Sequence, residues 1–200
     1  MLTLNIEIRT MSNLYIGGMP QGFEIGGIDM TTVTRNCKPY IPASSFKGAL
    51  REICKDYKNN EIAALYKDCS DPEEKITEKH LFIFGVPGKN NTPKLIFNDF
   101  ICKTSKNDVD GGLFSIDMKN SIEDNGGQLL SNPRTYKVAK AGLLFEGVVL
   151  FRLGDMSLAN QKLILNYVME QCEKFNDGFY RLGNSKSRGY GYINVTVKAG

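Results

Sequence analysis

Both ends of this 200-residue chain alternate apolar with polar residues, which is the period of a β-strand with one buried face. The alternation predicts a strand at each terminus, the last one completing the sheet that the first begins. The apolar positions are Leu2, Leu4, Ile6 and Ile8 at the start and Ile193, Val195 and Val197 at the end.

A helical period begins at Phe46, after an extended entry that contains two prolines. Ser44 or Ser45 is expected to cap the first amides of this helix. The apolar face consists of Phe46, Ala49, Leu50, Ile53 and Tyr57. The basic face carries Lys47, Arg51, Lys55 and Lys58, with Lys47 near the positive end of the helix dipole, where a phosphate can bind. An ordinary solvated helix face shows the same stripe.

Two further strand patterns, at 94–103 and 143–153, precede a second amphipathic helix. Ser157 is its expected cap, and it stops at Asp177 and Gly178. The order strand, helix, strand, strand, helix, strand predicts an α+β fold with a ferredoxin-like (RRM-like) βαββαβ core. We expect a single domain over 1–200, with 59–80 and 104–134 as excursions from that core. The first excursion contains a short helical piece around Ile62.

Composition excludes several classes of protein. No apolar run reaches the length of a membrane span and the N-terminus lacks the pattern of a signal peptide, so we expect a cytoplasmic protein. Five cysteines without a Cys-x-x-Cys pair, together with one histidine, argue against a zinc cluster and a disulfide framework. The net charge of +3 is too small to identify a nucleic-acid partner by itself.

A glycine-rich loop precedes the last strand. Gly183, Gly189 and Gly191 allow a close approach of the backbone to a polyanion, and the residues between them supply hydroxyls and charge, namely Ser185, Lys186, Ser187 and Arg188. Tyr190 and Tyr192 are candidates for stacking on bases. In the expected topology this loop and the start of the first helix can meet on one face and form a phosphate track with Lys47 and Arg51. A glycine-rich turn between a helix and a strand is also common without a ligand.

Three stretches resemble one family. Residues 39–51, Pro-Tyr-Ile-Pro-Ala-Ser-Ser-Phe-Lys-Gly-Ala-Leu-Arg, are similar to the Pro-Tyr-Ile-Pro-Gly-Ser-Ser-Leu-Lys-Gly-Ala-Leu-Arg signature of the RAMP superfamily, with Ala43 and Phe46 in place of Gly and Leu. That superfamily builds RNA-guided CRISPR effector complexes. The glycine-rich loop at 181–191 resembles its second hallmark, and 136–147 is similar to its Ala-Gly-x-x-Phe segment. The resemblance implies the same ferredoxin-like fold, with inserted thumb and lid segments.

The resemblance also implies a function, that of a backbone subunit of a type III effector complex. Its expected partners are a CRISPR guide RNA, a target RNA, other copies of itself and other effector subunits, with no membrane. In such subunits an Asp after a Gly-Gly pair cuts the target RNA, and Asp29 is the matching position. Asp29 would use a divalent cation, expected to be magnesium and not tightly bound, and 104–134 would form the thumb hairpin. The expected RNA-binding residues are Ser44, Ser45, Lys47, Arg51, Gly183, Ser185, Lys186, Ser187, Arg188, Gly189 and Gly191.

Three alternatives stay open at this point. The chain can be a purely structural subunit of the same kind of complex, with Asp29 only capping a turn. It can be a guide-processing endoribonuclease, for which His80 is the one candidate general base. If the resemblance misleads, a small α/β binding domain of unknown ligand is left.

Overall fold

The structure is a computed structural model that describes residues 2–18, 28–66, 78–86, 93–105, 111–126 and 128–200, with an α+β arrangement. Side chains are described throughout these ranges except at 121–125, 128–130 and 132. The strands are β1 Leu2–Thr10, β2 Met30–Thr31, β3 Thr34–Arg35, β4 Lys38–Ile41, β5 Leu95–Phe97, β6 Phe100–Cys102, β7 Phe114–Asn125, β8 Gln128–Ala139, β9 Leu144–Phe151 and β10 Ile193–Ala199. The α-helices are α1 Ala43–Asp56, α2 Asn60–Ala64 and α3 Leu158–Glu173.

The main sheet is antiparallel and has the order β10-β1-β9-β6-β4-β3, with β5 paired to β9 beside β6. The strand predictions at both termini are confirmed, because β1 and β10 are neighbours and Leu4 lies opposite Ala199. Along β1 the even-numbered residues from Leu4 onward are buried and Asn5, Glu7 and Arg9 are exposed. One face of the sheet is therefore covered and the other is open.

Aromatic side chains on the covered face join the sheet to both long helices. The ring of Phe46 in α1 lies 4.7 Å from that of Phe100 in β6 and 5.5 Å from that of Phe175, which follows α3. Because these three rings are fully buried, each stabilises the fold by roughly 1.5–3 kcal/mol through removal of apolar surface from water. This packing holds α1 against the covered face of the sheet at β6.

The predicted start of α3 is confirmed, whereas the α-helix ends at Glu173, before the predicted stop at Asp177 and Gly178. Ser157 caps the helix, and its hydroxyl accepts a hydrogen bond from the Asn160 amide. A 3₁₀ turn, Lys174–Asp177, follows the helix, and Gly178 ends it in the left-handed conformation at φ 75°. The short helical piece expected near Ile62 is α2, which Asn59 caps.

The strand predicted over 94–103 is divided in two. Phe97 of β5 lies opposite Val149, whereas Ile101 of β6 lies opposite Glu146, so β5 and β6 use registers that differ by one residue. The extra residue forms a bulge at 98–99, and such bulges re-aim side chains. Here the bulge directs the carboxylate of Asp99 to the start of α1, where Oδ1 accepts a hydrogen bond of 2.8 Å from the Ala43 amide.

Strands β7 and β8 form a long hairpin, most of which lies within the excursion predicted at 104–134. Each strand has 12 residues, and the ladder runs from Phe114 opposite Ala139 to Asn125 opposite Gln128. The two-residue strand β2 adds to β8 in parallel, which makes a second, three-stranded sheet of order β2-β8-β7. Within the described ranges, no helix has the length and apolar character needed to cross a membrane.

Candidate RNA interface

The first turn of α1 is capped differently from the prediction. The helix begins at Ala43 with Pro42 as its N-cap residue, so Ser44 and Ser45 lie inside the first turn and the prediction that either one caps the helix is wrong. Asp99 takes the capping role from a distant part of the chain. Its hydrogen bond from the Ala43 amide, assisted by the Arg35 guanidinium at 2.6 Å, holds the pKa of the Asp99 carboxyl below its usual range against the effect of burial.

The outer face of α1 is open along two turns. Ser44 and Gly48 are exposed, and Lys47 and Arg51 are partly exposed, at the three- and four-residue spacing that puts them on one side of the helix. A methyl group built on Gly48 would have no atom within 4 Å. Glycine in a helix interior costs about 1 kcal/mol relative to alanine, and nothing in the described chain requires it at this position.

The glycine-rich loop is folded back on its own chain. Ser185 begins a 3₁₀ turn, Lys186–Arg188, at φ 58°, and Gly189 ends it at φ 88°. A Cβ on Gly183 would collide with the Tyr15 carbonyl oxygen, and a Cβ on Gly191 would collide with that of Leu182. The packing of the loop therefore accounts for Gly183 and Gly191 without a ligand.

The loop and α1 are neighbours, as expected from the topology. Lys186 Nζ lies 3.1 Å from the carboxylate of Glu52, the residue after Arg51. Ser187, Arg188 and Gly189 are exposed, and Arg188 makes no ion pair with another described residue. We call the surface formed by Ser44, Lys47, Gly48, Arg51 and residues 185–189 the helix–loop face.

Charge distinguishes the helix–loop face from the open face of the main sheet. The open face has a groove of about 410 Å³ that includes Glu7 and Glu146, which stand directly opposite each other on β1 and β9. Lys103 lies 3.2 Å from Glu146 and Lys198 also lines the groove, so two carboxylates and two ammonium groups of the described residues leave it without net charge. Folds that read RNA on an open sheet place aromatic residues there. No aromatic side chain among the described residues lines this groove, so the groove is poorly suited to a phosphate or a base.

The tyrosine that follows the helix–loop face is already engaged. The Lys119 ammonium lies 3.8 Å from the centroid of the Tyr190 ring, and the Tyr190 hydroxyl donates to Asp117. Lys119 therefore covers one face of the Tyr190 ring, and stacking of the other face on a base stays a prediction. Sequence reasoning did not predict the contacts of Asp117, Lys119 and Asp99, because each reaches a residue more than 50 positions away.

Asp29 lies on the second sheet, just before β2. Its amide donates to the Thr135 carbonyl oxygen at 3.0 Å, and its carboxylate Oδ2 accepts from the Thr135 amide at 2.6 Å. The side chain is exposed, so Asp29 is fixed to the hairpin strand β8 while facing solvent. The Gly26–Gly27 pair that precedes it lies outside the described residues.

The surroundings of Asp29 limit the kind of metal it can hold. No group of three His, Cys, Asp or Glu side chains in the described parts of the chain is arranged to hold a metal ion. A single carboxylate fits Mg²⁺ that keeps most of its waters and takes its remaining ligands from a phosphate.

His80 is buried inside the protein. It lies in a 3₁₀ helix, Lys79–Phe84, with 3% of its surface exposed, and its Nε2 is 2.7 Å from the Cys54 carbonyl oxygen of α1. A general base must reach the proton it removes, and this imidazole has no path to an RNA outside the core. The position favours a structural role.

Comparison with known proteins identifies the family and the fold of this chain. Residues 7–194 match the family model of the RAMP superfamily. A protein of Streptococcus thermophilus named CRISPR system Cms endoribonuclease Csm3 is 27% identical over 202 residues, which cover 96% of this chain and 86% of that protein. A chain in a Type III-B Cmr-beta complex bound to cognate target RNA shares the fold at a TM-score of 0.63 and 17% identity, with 99% of this chain and 60% of that chain covered. A chain of a Type IV-B CRISPR complex shares it at a TM-score of 0.58 and 15% identity over 98% of this chain and 90% of that one. The protein belongs to the RAMP superfamily.

Proposed function

We propose that this chain is a cytoplasmic backbone subunit of a type III CRISPR interference complex, which binds the guide RNA and stands beside other copies of itself and other effector subunits. Superfamily membership and the Csm3 relative, which is matched over 96% of this chain, support the proposal. Among the solved chains with the same fold, one comes from the Type III-B Cmr-beta bound to cognate target RNA and one from a Type IV-B CRISPR complex. The βαββαβ core is ferredoxin-like in our proposal, and the strand order β10-β1-β9-β6 supports this.

The observation that carries the RNA assignment is the meeting of α1 with the glycine-rich loop at Glu52 and Lys186. On the helix–loop face, Lys47, Arg51 and Arg188 supply charge to a ribose-phosphate strand, and the hydroxyls of Ser44 and Ser187 supply donors. Ser45, Ser185, Lys186 and Gly189 complete the proposed set. Gly183 and Gly191 serve it indirectly, by letting the loop fold against Tyr15 and Leu182.

Gly48 fits this role better than a role in folding. It is exposed and a side chain there would meet no other atom of the described chain, so the missing methyl group leaves a shallow notch beside Lys47 and Arg51. A sugar-phosphate backbone that lies in this notch can approach the helix axis more closely than it can over alanine. Contacts of this kind position the strand without reading its sequence.

We further propose that Asp29 cuts the guide-paired target RNA. The Thr135 amide holds Oδ2, and no described residue donates to Oδ1, so the carboxylate is oriented with one oxygen toward solvent. Mg²⁺ bound there with its waters would offset the charge that develops on the target phosphate. The chain's part is to orient Asp29 through β8 and to hold the guide strand on the helix–loop face.

The Thr135 contact also favours a second candidate, a structural subunit without catalysis. The carboxylate of Asp29 satisfies an edge amide of β8, which is a sufficient reason for an acid at this position. Asp29→Asn distinguishes the two, because asparagine keeps an acceptor for the Thr135 amide and loses only the charge. In an assembled complex, loss of Mg²⁺-dependent target cleavage with guide binding retained supports catalysis. Cleavage that persists in this variant supports the structural role.

The test of the proposed function is to purify the chain with its co-expressed partners and to identify the RNA that comes with it. A discrete species of guide length is the expected result. Replacing Lys47, Arg51 and Arg188 together by glutamine should release that RNA at lower salt than the unmodified assembly does. An assembly that forms without RNA, or with RNA of random length and sequence, would contradict the proposal.

A further inference from the structure

A lysine of the hairpin is enclosed by the glycine-rich loop. Lys119 of β7 has its ammonium 3.8 Å from the ring centroid of Tyr190 in the loop and 4.6 Å from that of Tyr136 in β8. Its Nζ donates a hydrogen bond of 3.3 Å to the hydroxyl of Ser185. Two aromatic faces and one hydroxyl thus hold the cation between the hairpin and the loop.

Asp117, two residues earlier on the same side of β7, ties a third segment into the cluster. One carboxylate oxygen accepts from the Tyr190 hydroxyl and, at 3.1 Å, from the Asn13 amide of the segment after β1, and the other accepts from Ser115 at 2.7 Å. Burial raises the pKa of Asp117, but these three hydrogen bonds outweigh it and bring the pKa below its usual value. Asp117 therefore stays ionised beside the lysine.

The partner of Lys119 in the loop has an unfavourable backbone. Ser185 is at φ 58°, in the left-handed region that residues other than glycine rarely adopt. This conformation sets the direction of the Lys186–Arg188 turn, which carries the exposed charge of the loop. The hydrogen bond from Lys119 engages the side chain of this strained residue.

Electrostatics separate the role of Lys119 from that of Arg188. Burial, followed by repulsion from Arg188, lowers the pKa of Lys119, and Asp117 acts in the opposite direction. The lysine points its charge into the rings and the serine hydroxyl, whereas Arg188 is exposed and without an ion-pair partner among the described residues. Of the two cations, Arg188 is the exposed one and is therefore the one that an anion in solution can reach.

We propose that Lys119 is a positioning residue for RNA, which holds the glycine-rich loop on the β7–β8 hairpin in the conformation that grips a phosphodiester strand. The inference rests on the proposed function, because it names a residue that acts on the same face. In this proposal the β7–β8 hairpin is part of the guide-binding machinery, although the ammonium group of Lys119 contacts Tyr136, Tyr190 and Ser185 and not the RNA.

The experiment compares Lys119→Met with Lys137→Met in the assembled complex. Methionine has a similar length and packs well against aromatic rings, so the hairpin should keep its packing. Lys137 is a matched control: it lies on the same hairpin and places its ammonium 4.7 Å from the ring centroid of Phe114, away from the loop. Guide affinity should fall about tenfold for Lys119→Met, which corresponds to about 1.4 kcal/mol, and should change little for Lys137→Met.

The salt dependence of binding distinguishes positioning from a direct contact. A positioning residue lowers affinity at every salt concentration and leaves the slope of log K against log salt unchanged. A lysine that contacts a phosphate would reduce that slope by about 0.7 when removed, and this result would overturn the proposal. An affinity equal to that of Lys137→Met would overturn it as well.

A second measurement works without RNA. In Lys119→Met the loop amides should exchange with deuterium faster than in the unmodified protein. A third measurement uses guide affinity: Lys119→Met should be less costly in a Ser185→Gly background, since glycine adopts this backbone freely. Unchanged exchange would contradict the inference. If the unmodified assembly binds no RNA, the proposed function fails, whereas faster exchange without a loss of guide affinity in Lys119→Met defeats only this inference.

Discussion

Replacing Gly48 by alanine should raise stability and weaken RNA binding at the same time. Gly48 lies inside the 14-residue helix α1, where glycine is about 0.8–1.0 kcal/mol less favourable than alanine. The added methyl group would meet no atom within 4 Å, so no clash reduces this gain. For a chain of this length, a gain of about 1 kcal/mol raises the melting temperature by roughly 2–4 °C.

Urea unfolding measures the first effect, and guide-RNA titration of the assembled subunit measures the second. The unfolding midpoint should rise with an unchanged m-value, because the surface exposed on unfolding stays nearly the same. The RNA affinity should fall, since a methyl group in the notch keeps the sugar-phosphate strand away from Lys47 and Arg51. A residue needed only for folding cannot, when substituted, raise stability and lower RNA affinity together.

Gly154→Ala is the matched control for this experiment. Gly154 is exposed, has no positive φ, and would place its Cβ in open space in the turn after β9. Its substitution should leave RNA affinity unchanged. If Gly48→Ala stabilises the protein and leaves RNA affinity intact, the outer face of α1 does not lie against RNA. If it destabilises the protein, the site is not open as described.

Four further predictions concern stability. Asp99→Ala should cost about 1–2 kcal/mol through loss of the helix cap, measured by urea unfolding, whereas Asp155→Ala, which breaks an exposed pair with Lys94, should cost less than about 1 kcal/mol. Folding lowers the pKa of Asp99, so its contribution to the free energy of unfolding is present above the unfolded pKa of about 3.9 and disappears as the pH falls through the folded pKa. The difference in unfolding free energy between Asp99→Ala and the unmodified protein should therefore narrow in acid. A difference that stays constant with pH would contradict this. His80→Ala should destabilise the fold by roughly 2 kcal/mol or more because it leaves a cavity and an unpaired Cys54 carbonyl, while the folded fraction should cut target RNA as before. Gly191→Ala should prevent normal folding, seen as loss of a cooperative thermal transition, since its Cβ collides with backbone; a normal transition would refute that reading.

The elements with strong local signals could be predicted from sequence. The terminal strands, α1, α2 and α3 depend on periodicity and on capping residues such as Ser157, which act within a few positions. The hairpin was not predicted from the residues, although Phe114, Ile116 and Met118 alternate with polar residues at the start of β7. The apolar side of this alternation faces solvent at Ile116 and Met118 and does not pack on the core. Only the family resemblance implied it.

The site depends on contacts between distant residues, which periodicity does not reveal. Asp99 was assigned to a continuous strand, and the one-residue bulge that turns it toward Ala43 has no sequence signal that separates it from regular pairing. Lys119 contacts Tyr190 of the loop, and no sequence pattern links these two positions. Gly183 and Gly191 were predicted to approach RNA, and the structure shows that carbonyl oxygens of the chain occupy that space.

Mapping ultraviolet crosslinks between the assembled subunit and its guide RNA tests the central claim most directly. The helix–loop face predicts crosslinked peptides from α1 and from residues 185–190. Crosslinks confined to β1, β9 and β10 would place the RNA on the open face of the main sheet, over Glu7 and Glu146, and would contradict the assignment of the helix–loop face.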